Sequence, residues 1–176
     1  MKVPVLKSQE PYGDQDVCRL IAACKTEQER ALVLLLARTG LRATEARELR
    51  HDSISDGVAF VRGKGGRYRQ IVLAPDVLAA LPAGAGYLFP SRQGGCISYG
   101  RVRQIMRNVG RRAGVRKAQA HRFRRTYAVG FLKAGGDPGA LRYTLGHTTL
   151  TMSLHYASWL EGERALAVQR SMAGRL

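Results

Sequence analysis

Acidic residues are scarce in this sequence, and they are missing where the basic residues are densest. The chain has 176 residues, of which 29 are Lys or Arg and 13 are Asp or Glu, so its formal net charge is +16. No acidic residue occurs between Asp76 and Asp137. Because this stretch offers no carboxylate cluster to hold Mg²⁺, two-metal nuclease chemistry is not favoured. We predict neither a metal nor another cofactor.

Three further absences narrow the class of protein. The cysteines, Cys18, Cys24 and Cys96, match neither a zinc spacing nor a disulfide framework, which favours a reducing compartment. No apolar run approaches the length of a membrane span, and the N-terminus has no secretory h-region. The P-loop pattern GxxxxGK followed by Ser or Thr is also missing, so a nucleoside-triphosphate motor is not indicated. We expect a soluble, cytoplasmic protein with no membrane partner.

The excess of positive charge is concentrated in the stretch without acids. Its basic residues are Arg92, Arg101, Arg103, Arg107, Arg111, Arg112, Arg116, Lys117, Arg122, Arg124, Arg125 and Lys133. Such a field attracts polyanions, and its side chains would displace counterions from a nucleic-acid backbone. A solvated face kept soluble by charge is the alternative, and we rank it below nucleic-acid binding because no acids compensate.

The length and the hydrophobic pattern predict one mainly α-helical domain that includes a small antiparallel β-hairpin or sheet. The first helix is expected from Asp14, as its cap, to about Lys25. A capping box of Thr26 and Glu29 predicts the next helix, which contains the apolar run ALVLLLA and ends at Gly40. That helix is expected to be the central buried element, and the short helix ATEARELR follows it.

The second half of the pattern contains a hairpin and further helices. Period-two alternation from Ile54 to Leu73 flanks a turn of Gly63-Lys64-Gly65-Gly66. Pro75-Asp76 starts a short helix, and Ser98 is the expected cap of a helix that runs to about Gly114. Later helices are expected over about 120–134, from Asp137 and Pro138 to Leu145, and over TLTMSLHYASW, with a mildly amphipathic segment last.

Several side chains along this pattern are suited to phosphoryl transfer. Two arginines can grip the non-bridging oxygens of a phosphate without a metal, and a tyrosine can attack phosphorus once a base takes its proton. The candidates are Arg42 and Arg124 for the grip, Glu45 to orient Arg42, Tyr156 as nucleophile, His121 as base, Lys64 as proton donor and His147 as hydrogen-bond donor to phosphate. Taken singly, Arg42, Lys64 and the H-x-x-R pair each also fit an ordinary surface residue.

Together the four motifs resemble those of the tyrosine recombinases, the phage-integrase family. TGLRATEAREL (39–49) resembles the box of the first catalytic arginine, and VRGKGGR (61–67) resembles the hairpin of the catalytic lysine. AHRFRRT (120–126) resembles the H-x-L-R-H box, and LGHTTLTMSLHY (145–156) resembles the box of the second histidine and the nucleophile. Phe123 and Arg125 depart from the H-x-L-R-H pattern, and Arg125 adds positive charge beside the site.

The resemblance implies the α+β catalytic-domain fold of that family and its chemistry on double-stranded DNA. Tyr156 would form a 3′-phosphotyrosine and strands would exchange through a Holliday junction, with neither ATP nor metal. DNA contacts are expected from Arg62, Arg67 and Arg69 near the hairpin, from Arg101, Arg103 and Arg107 on one helix, and from Arg122 and Arg125. The chain would be a monomer in solution and part of a tetramer on paired DNA sites, as in site-specific integration and recombination by mobile elements.

The expected organisation is an extended lead-in over 1–13, the catalytic domain over 14–159 and a C-terminal helix or tail over 160–176 that neighbouring subunits exchange. Family enzymes carry an N-terminal core-binding domain before this match, so we expect either an expressed fragment or a naturally minimal recombinase, with weak DNA binding. Two alternatives stay open. One is a topoisomerase IB-like enzyme that rejoins the original strand, and the other is a basic DNA-binding accessory protein without chemistry.

Overall fold

The computed structural model describes residues 10–173, with the side chain of Lys64 outside that description. The chain divides into two compact units, the first ending at Tyr127 and the second beginning at Ala128. The first unit holds α1 (Asp14–Ala22), α2 (Glu27–Thr39), α3 (Ala43–Glu48), β1 (Ile54–Ser55), β2 (Val58–Arg62), β3 (Tyr68–Val72), α4 (Pro75–Ala80) and α5 (Tyr99–Arg112). Helix α6 (Ala120–Lys133) begins in the first unit and ends in the second, which also holds α7 (Pro138–Leu145) and α8 (Leu150–Ala173).

Helix α2 is the centre of the first unit, as its apolar run predicted. Every residue from Ala31 to Leu36 is buried, and the helix packs against α1, α3, α4 and α5. Gly40 ends it in the left-handed region, with φ of 64°, where a residue with a Cβ would be strained. The turn at Gly40 therefore sets where the chain emerges at Leu41 and Arg42.

The caps of the first two helices differ from the predicted ones in detail. Helix α1 has Gly13 as its cap and ends at Ala22, so Asp14 is its first residue and the helix is shorter than expected. Thr26 caps α2 by accepting from the Glu29 N–H at 3.1 Å. The Glu29 carboxylate accepts from the Lys25 N–H at 2.8 Å, not from Thr26, so the reciprocal half of the predicted box is absent. Lys25 lies in the connection between the two helices.

The three strands form one antiparallel sheet in the order β1-β2-β3. Strands β2 and β3 are the predicted hairpin, with Val61 opposite Arg69 and Ala59 opposite Ile71. The connection between β1 and β2 is an Asp56-Gly57 turn in which both residues have positive φ, of 50° and 76°. Asp-Gly favours this two-residue hairpin turn, and it gives the sheet a third strand that the sequence analysis did not predict.

The later helices follow their predicted caps closely. Ser98 caps α5 by accepting from the Arg101 N–H at 3.1 Å. Asp137 caps α7 through bonds from the N–H groups of Gly139 and Ala140, and Gly146 ends α7 with φ of 63°. Helix α8 is one continuous helix, whereas the sequence analysis separated the Tyr156 helix from a last segment. The mainly α fold with a small antiparallel sheet is confirmed.

The ends of the chain lie partly outside the described residues. Of the predicted lead-in over 1–13, residues 1–9 are outside the description, and residues 10–13 form neither helix nor strand. Of the predicted tail over 160–176, residues 160–173 belong to α8 and the rest is outside the description. Within the part of the chain that is described, no helix is long and apolar enough to cross a membrane.

Candidate active site and nucleic-acid groove

A buried carboxylate ties the start of α3 to the sheet in the first unit. Glu45 accepts from the Arg42 backbone N–H at 2.9 Å and from the Arg42 guanidinium at 3.0 Å. It also receives both terminal nitrogens of Arg69, at 3.0 and 2.9 Å. Arg69 and Glu45 are each 5% exposed at their side chains, whereas Arg42 remains one-third exposed. Glu45 thus contacts Arg42 directly, and Arg69 binds the same carboxylate from the sheet.

Arg69 does not lie where its predicted DNA contact would require. Its side chain points to the inner face of the sheet, in the same alternation as Ile71, and its guanidinium is occupied by Glu45. Turning this guanidinium to solvent would break both of its bonds to the buried Glu45 carboxylate. Arg69 is therefore a structural support of the Arg42 site and not a DNA contact.

The charge state of Glu45 follows from these contacts. Burial by itself would raise the pKa of the Glu45 carboxyl, because a low dielectric disfavours the ionised form. The hydrogen bonds and positive charge of Arg69, followed by those of Arg42, outweigh burial and hold the pKa of Glu45 below its ordinary value. Glu45 is consequently ionised at neutral pH and complements both guanidinium groups.

Arg124 and His121 project from the first two turns of α6. Arg124 is 2% exposed and donates to the Gly40 carbonyl at 3.0 Å, which ties it to the turn that presents Arg42. Loss of hydration lowers the pKa of His121, and the positive charges of Arg125, Arg124 and Arg42 lower it further. His121 is therefore neutral at pH 7, the state that a proton acceptor requires.

The predicted lysine hairpin is present, with Lys64 in the turn between β2 and β3. The Gly63 N–H donates to the Arg67 carbonyl at 2.8 Å and closes the turn. Gly65 and Gly66 have φ of 80° and 74°, so the turn depends on glycine. Arg62 and Arg67 are exposed on either side of it.

A basic groove of about 930 Å³ opens beside Arg42, His121 and Arg124. One wall is the face of α5, and the other is formed by the start of α3 and the loop before α6. None of the described residues that line it is acidic. The further cations that line it are Arg103, Arg107, Arg111, Arg116 and Lys117.

The groove separates the predicted arginines of α5 into two groups. Arg103, Arg107 and Arg111 are spaced four residues apart, so they form one ridge along the groove with steps of about 6 Å. Arg101 is exposed but does not line the groove, and its guanidinium donates to Gln104 at 2.9 Å. Gly110 allows α5 to meet the loop closely, since a Cβ there would lie 2.3 Å from that of Ala118.

Arg122 has a structural role that its predicted DNA contact did not include. Its guanidinium donates to the carbonyls of Glu10 at 3.0 Å, Arg116 at 3.0 Å and Pro11 at 3.5 Å. It also lies over the ring of Tyr12, 4.0 Å from the centroid. With these donors engaged inside the protein, Arg122 holds residues 10–12 against the groove loop.

Tyr12 completes this contact, which we call the Tyr12–Arg122 latch. The Tyr12 hydroxyl donates to the Gln119 carbonyl at 3.1 Å and accepts from the Gln119 N–H at 2.7 Å. The Tyr12 backbone N–H donates to the Thr126 hydroxyl at 2.7 Å. Burial raises the pKa of the Tyr12 phenol, so it stays a protonated donor. The latch fixes the groove loop and the start of α6, from which His121 and Arg124 project.

The second unit holds the two remaining predicted residues. His147 follows the Gly146 cap of α7 and is buried, with 7% of its surface exposed. Its ring is stacked with that of Tyr156 on α8, at 6.2 Å between centroids and 18° between planes. The Nδ1 atom of His147 lies 2.9 Å from the hydroxyl oxygen of Ser153, which is fully buried. Tyr156 itself is half-buried.

The structure therefore assembles the predicted residues in two clusters, each within its own unit. The first unit joins Arg42, Glu45, His121 and Arg124, with Arg125 also close enough to affect His121. The second joins His147 to Tyr156. No role was predicted for Ser153 or Tyr12, whereas Arg111, Arg116 and Lys117 were predicted only as members of the basic stretch. Among the residues that are described, no cluster of three or more His, Cys, Asp or Glu side chains could hold a metal ion.

Comparison with known proteins agrees with the fold and with the order of the motifs. The model of the phage integrase family matches residues 13–162. Tyrosine recombinase XerC of Rhodospirillum centenum is 33% identical over 154 residues, which cover 80% of this chain and 45% of that protein. The chain belongs to the phage integrase family. It spans about half the length of the curated relatives that it matches.

Two solved structures establish the shared fold. XerH site-specific recombinase, bound to its palindromic difH substrate in a post-cleavage complex, matches with a TM-score of 0.76 and 20% identity, over 91% of this chain and 52% of that one. The catalytic domain of bacteriophage HP1 integrase matches with a TM-score of 0.68 and 24% identity, over 91% of this chain and 94% of that one. The HP1 match covers nearly all of a catalytic domain, so the fold of this chain is that of the catalytic domain.

Proposed function

We propose that this chain is the catalytic part of a tyrosine-type site-specific DNA recombinase. It would cleave and rejoin DNA strands through a covalent 3′-phosphotyrosine intermediate at Tyr156, without metal or ATP. Membership of the phage integrase family and the recombinase names of its relatives support this function. The DNA complex of the related XerH fold supports double-stranded DNA as the substrate class.

The proposed step is an in-line displacement at phosphorus. The Tyr156 oxygen forms a bond to the phosphorus of a phosphodiester while the bond to the 5′ oxygen breaks. The proton of the phenol passes to a base, for which neutral His121 is suited, and the leaving 5′ oxygen takes a proton from Lys64. Attack by a 5′-hydroxyl reverses the step and rejoins the strand, so the energy of the phosphodiester bond is conserved.

The observation that carries the proposal is the fixed position of two arginines beside the basic groove. Glu45 holds Arg42, and the Gly40 carbonyl holds Arg124. Two guanidinium groups fixed before substrate arrives can neutralise charge on the non-bridging oxygens without reorganising. His147, stacked with Tyr156, would donate a further hydrogen bond to the same phosphate.

The groove supports DNA as the ligand of the first unit. Its cations line one continuous surface that leads from the arginine ridge of α5 to Arg42 and Arg124. Side chains of this kind position a nucleic acid by its phosphates and carry no sequence preference of their own. Arg62 and Arg67 on the hairpin, together with Arg125 beside His121, are the further proposed contacts.

The end of α8 supports assembly of several copies on DNA. From Glu161 to Ala173 every residue is exposed, including Leu166, Val168 and Met172. Apolar side chains on an otherwise solvated helix are typical of a segment that packs on another protein. We propose a monomer in solution and a tetramer on paired sites, in which this segment contacts a neighbouring copy.

A nicked suicide substrate tests the proposed chemistry. The nick lies next to the cleavage point, so the freed strand end is lost and religation fails. Wild-type protein should give a protein–DNA adduct that resists denaturant, with a chelator present throughout. Tyr156→Phe should give none. Tyr143→Phe is the matched control, since Tyr143 is an exposed tyrosine of the same unit, and this variant should retain the adduct.

Other outcomes would redirect the proposal. An adduct that survives Tyr156→Phe would contradict the nucleophile, and dependence on an added metal would contradict the mechanism. DNA binding without an adduct on any substrate, including DNA cut from related mobile elements, would favour the accessory binder. Relaxation of supercoiled DNA without exchange between two sites would favour the topoisomerase-like alternative.

A further inference from the structure

Ser153 lies in the second cluster without an assigned role. Its side chain is fully buried on α8, whereas Met152 and Leu154 on either side of it are exposed. Its hydroxyl oxygen is 2.9 Å from Nδ1 of His147, which is itself buried. A buried polar side chain between two exposed apolar ones reverses the usual burial preference, so the contact with His147 explains its place.

The chemistry of the imidazole ring makes this contact consequential. A neutral imidazole carries one proton, and the hydrogen bond at one nitrogen decides whether the other nitrogen donates or accepts. Phosphate oxygens accept hydrogen bonds, so a neutral His147 can stabilise a phosphate only through an N–H group. If the Ser153 hydroxyl donates to Nδ1, then Nδ1 is the acceptor and the single proton of the neutral ring must be on Nε2.

We propose that Ser153 is a positioning residue that donates its hydroxyl proton to Nδ1 and holds His147 as the Nε2–H tautomer. The inference rests on the proposed role of His147 at a phosphate. It adds the residue that selects the productive tautomer and fixes the plane of the ring.

The position of Ser153 along α8 links the histidine to the nucleophile. Ser153 precedes Tyr156 by three residues, so the two lie about one turn apart on one helix. The same turn of α8 therefore fixes the ring plane of His147 through Ser153 and carries the phenol stacked with it. A displacement of α8 would move the Ser153 hydroxyl and the Tyr156 phenol together, so their relative position would be preserved.

Nitrogen-15 NMR of the imidazole rings tests the tautomer without any DNA. The chain has 4 histidines, and His147→Gln identifies the signals of His147 by their loss. At a pH where the ring is neutral, wild type should show a protonated Nε2 and an unprotonated Nδ1. Ser153→Ala should give a mixture of tautomers, and Ser153→Thr should restore the single one. Thr151→Ala, which removes an exposed hydroxyl of α8, should leave the spectrum unchanged.

Cleavage kinetics on the suicide substrate give the functional readout. At saturating DNA, Ser153→Ala should lower the cleavage rate constant by about 3- to 10-fold, the net effect of one hydrogen bond. DNA affinity should stay unchanged, and Ser153→Thr should recover the rate. If Ser153→Ala does not fold, Ser153→Cys fills a similar volume with a weak donor and should show the same direction.

The two proposals fail in distinguishable ways. A wild-type His147 protonated on Nδ1, or an unchanged tautomer in Ser153→Ala, would overturn the role of Ser153 whatever the cleavage assay shows. A tautomer that responds to Ser153 as expected, in a protein that forms no adduct, would instead overturn the proposed function and leave the assignment of the donor intact.

Discussion

Arg69 places both of its terminal nitrogens on the two carboxylate oxygens of Glu45, at 3.0 and 2.9 Å. The same carboxylate orients Arg42, which lines the basic groove. A residue of the sheet thereby supports the proposed phosphate site through a buried ion pair. Because Arg69 contacts Glu45 and Glu45 contacts Arg42, a substitution of Arg69 tests how the position of Arg42 is supported.

Removal of the Arg69 side chain should lower the stability of the protein more than its affinity for DNA. Arg69→Ala removes both bonds from the Arg69 guanidinium to the buried Glu45 carboxylate and leaves it only with Arg42, so we expect the free energy of unfolding to fall by about 3 kcal/mol. Urea denaturation measures this. Arg67→Ala, which removes an exposed arginine beside the same strand, should change stability by less than about 0.5 kcal/mol. An Arg69→Ala protein of normal stability and weakened DNA binding would restore the original interpretation of Arg69 as a DNA contact.

The support by Arg69 could have been read from the sequence in part. Arg69, Ile71 and Leu73 have the same parity in a strand of period two, and the latter two are apolar, so the alternation itself points Arg69 inward. The partner could not be read, because Glu45 lies 24 residues away on another element. The burial of Arg69 could be predicted from the local strand pattern, whereas its ion pair with Glu45 could not.

The helix caps could likewise be predicted from nearby residues, whereas the Tyr12–Arg122 latch could not. The turns at Gly40 and at Asp137 depend on residues within one turn of the helix, so they were predicted correctly. The Tyr12–Arg122 latch joins positions more than 100 residues apart, and no local pattern distinguishes Arg122 from its exposed neighbours. The order of the four motifs supplies the candidate site residues, whereas the residues that support them depend on tertiary packing.

The arginine ridge of α5 should dominate the salt dependence of DNA binding. Arg107→Ala removes a cation that lines the groove, so affinity for duplex DNA should fall and the slope of log K against log salt should lessen by about 1. Arg101→Ala is the matched control on the same helix, outside the groove, and should leave the slope unchanged. Fluorescence anisotropy over a range of salt concentrations measures both. Equal changes in the two variants would mean that DNA extends beyond the groove to the other face of α5.

Loss of the Tyr12–Arg122 latch should lower the free energy of unfolding and should not remove a contact to a DNA phosphate. Arg122→Ala removes three bonds to backbone carbonyls and the stacking on Tyr12, so we expect unfolding free energy to fall by about 2 kcal/mol. Arg116→Ala removes one charge from the groove but keeps the carbonyl that Arg122 binds, so it should weaken DNA binding with little change in stability. Urea denaturation and anisotropy separate the two. A loss of salt slope in Arg122→Ala without a loss of stability would contradict the latch.

The pKa of His121 should lie below the ordinary value for histidine. Loss of hydration comes first among the causes that lower its pKa, followed by the charges of Arg125, Arg124 and Arg42, so NMR titration should give a midpoint below 6.5. Between the folded and unfolded pKa values only the unfolded chain binds the proton. The contribution of His121 to stability is therefore complete above about pH 6.5 and is lost as pH falls toward the folded value.

Arg125→Gln separates the effect of charge on His121 from that of hydration. With the largest of the three arginine contributions removed, the pKa of His121 should rise toward the ordinary histidine value, while the contribution of lost hydration stays. Arg101→Gln removes equal charge from a position that is not among the causes of the shift, so its His121 titration should match wild type. An unchanged midpoint in Arg125→Gln would contradict a contribution from the Arg125 charge, and a midpoint above 6.5 in wild type would contradict the assignment of His121 as a neutral base.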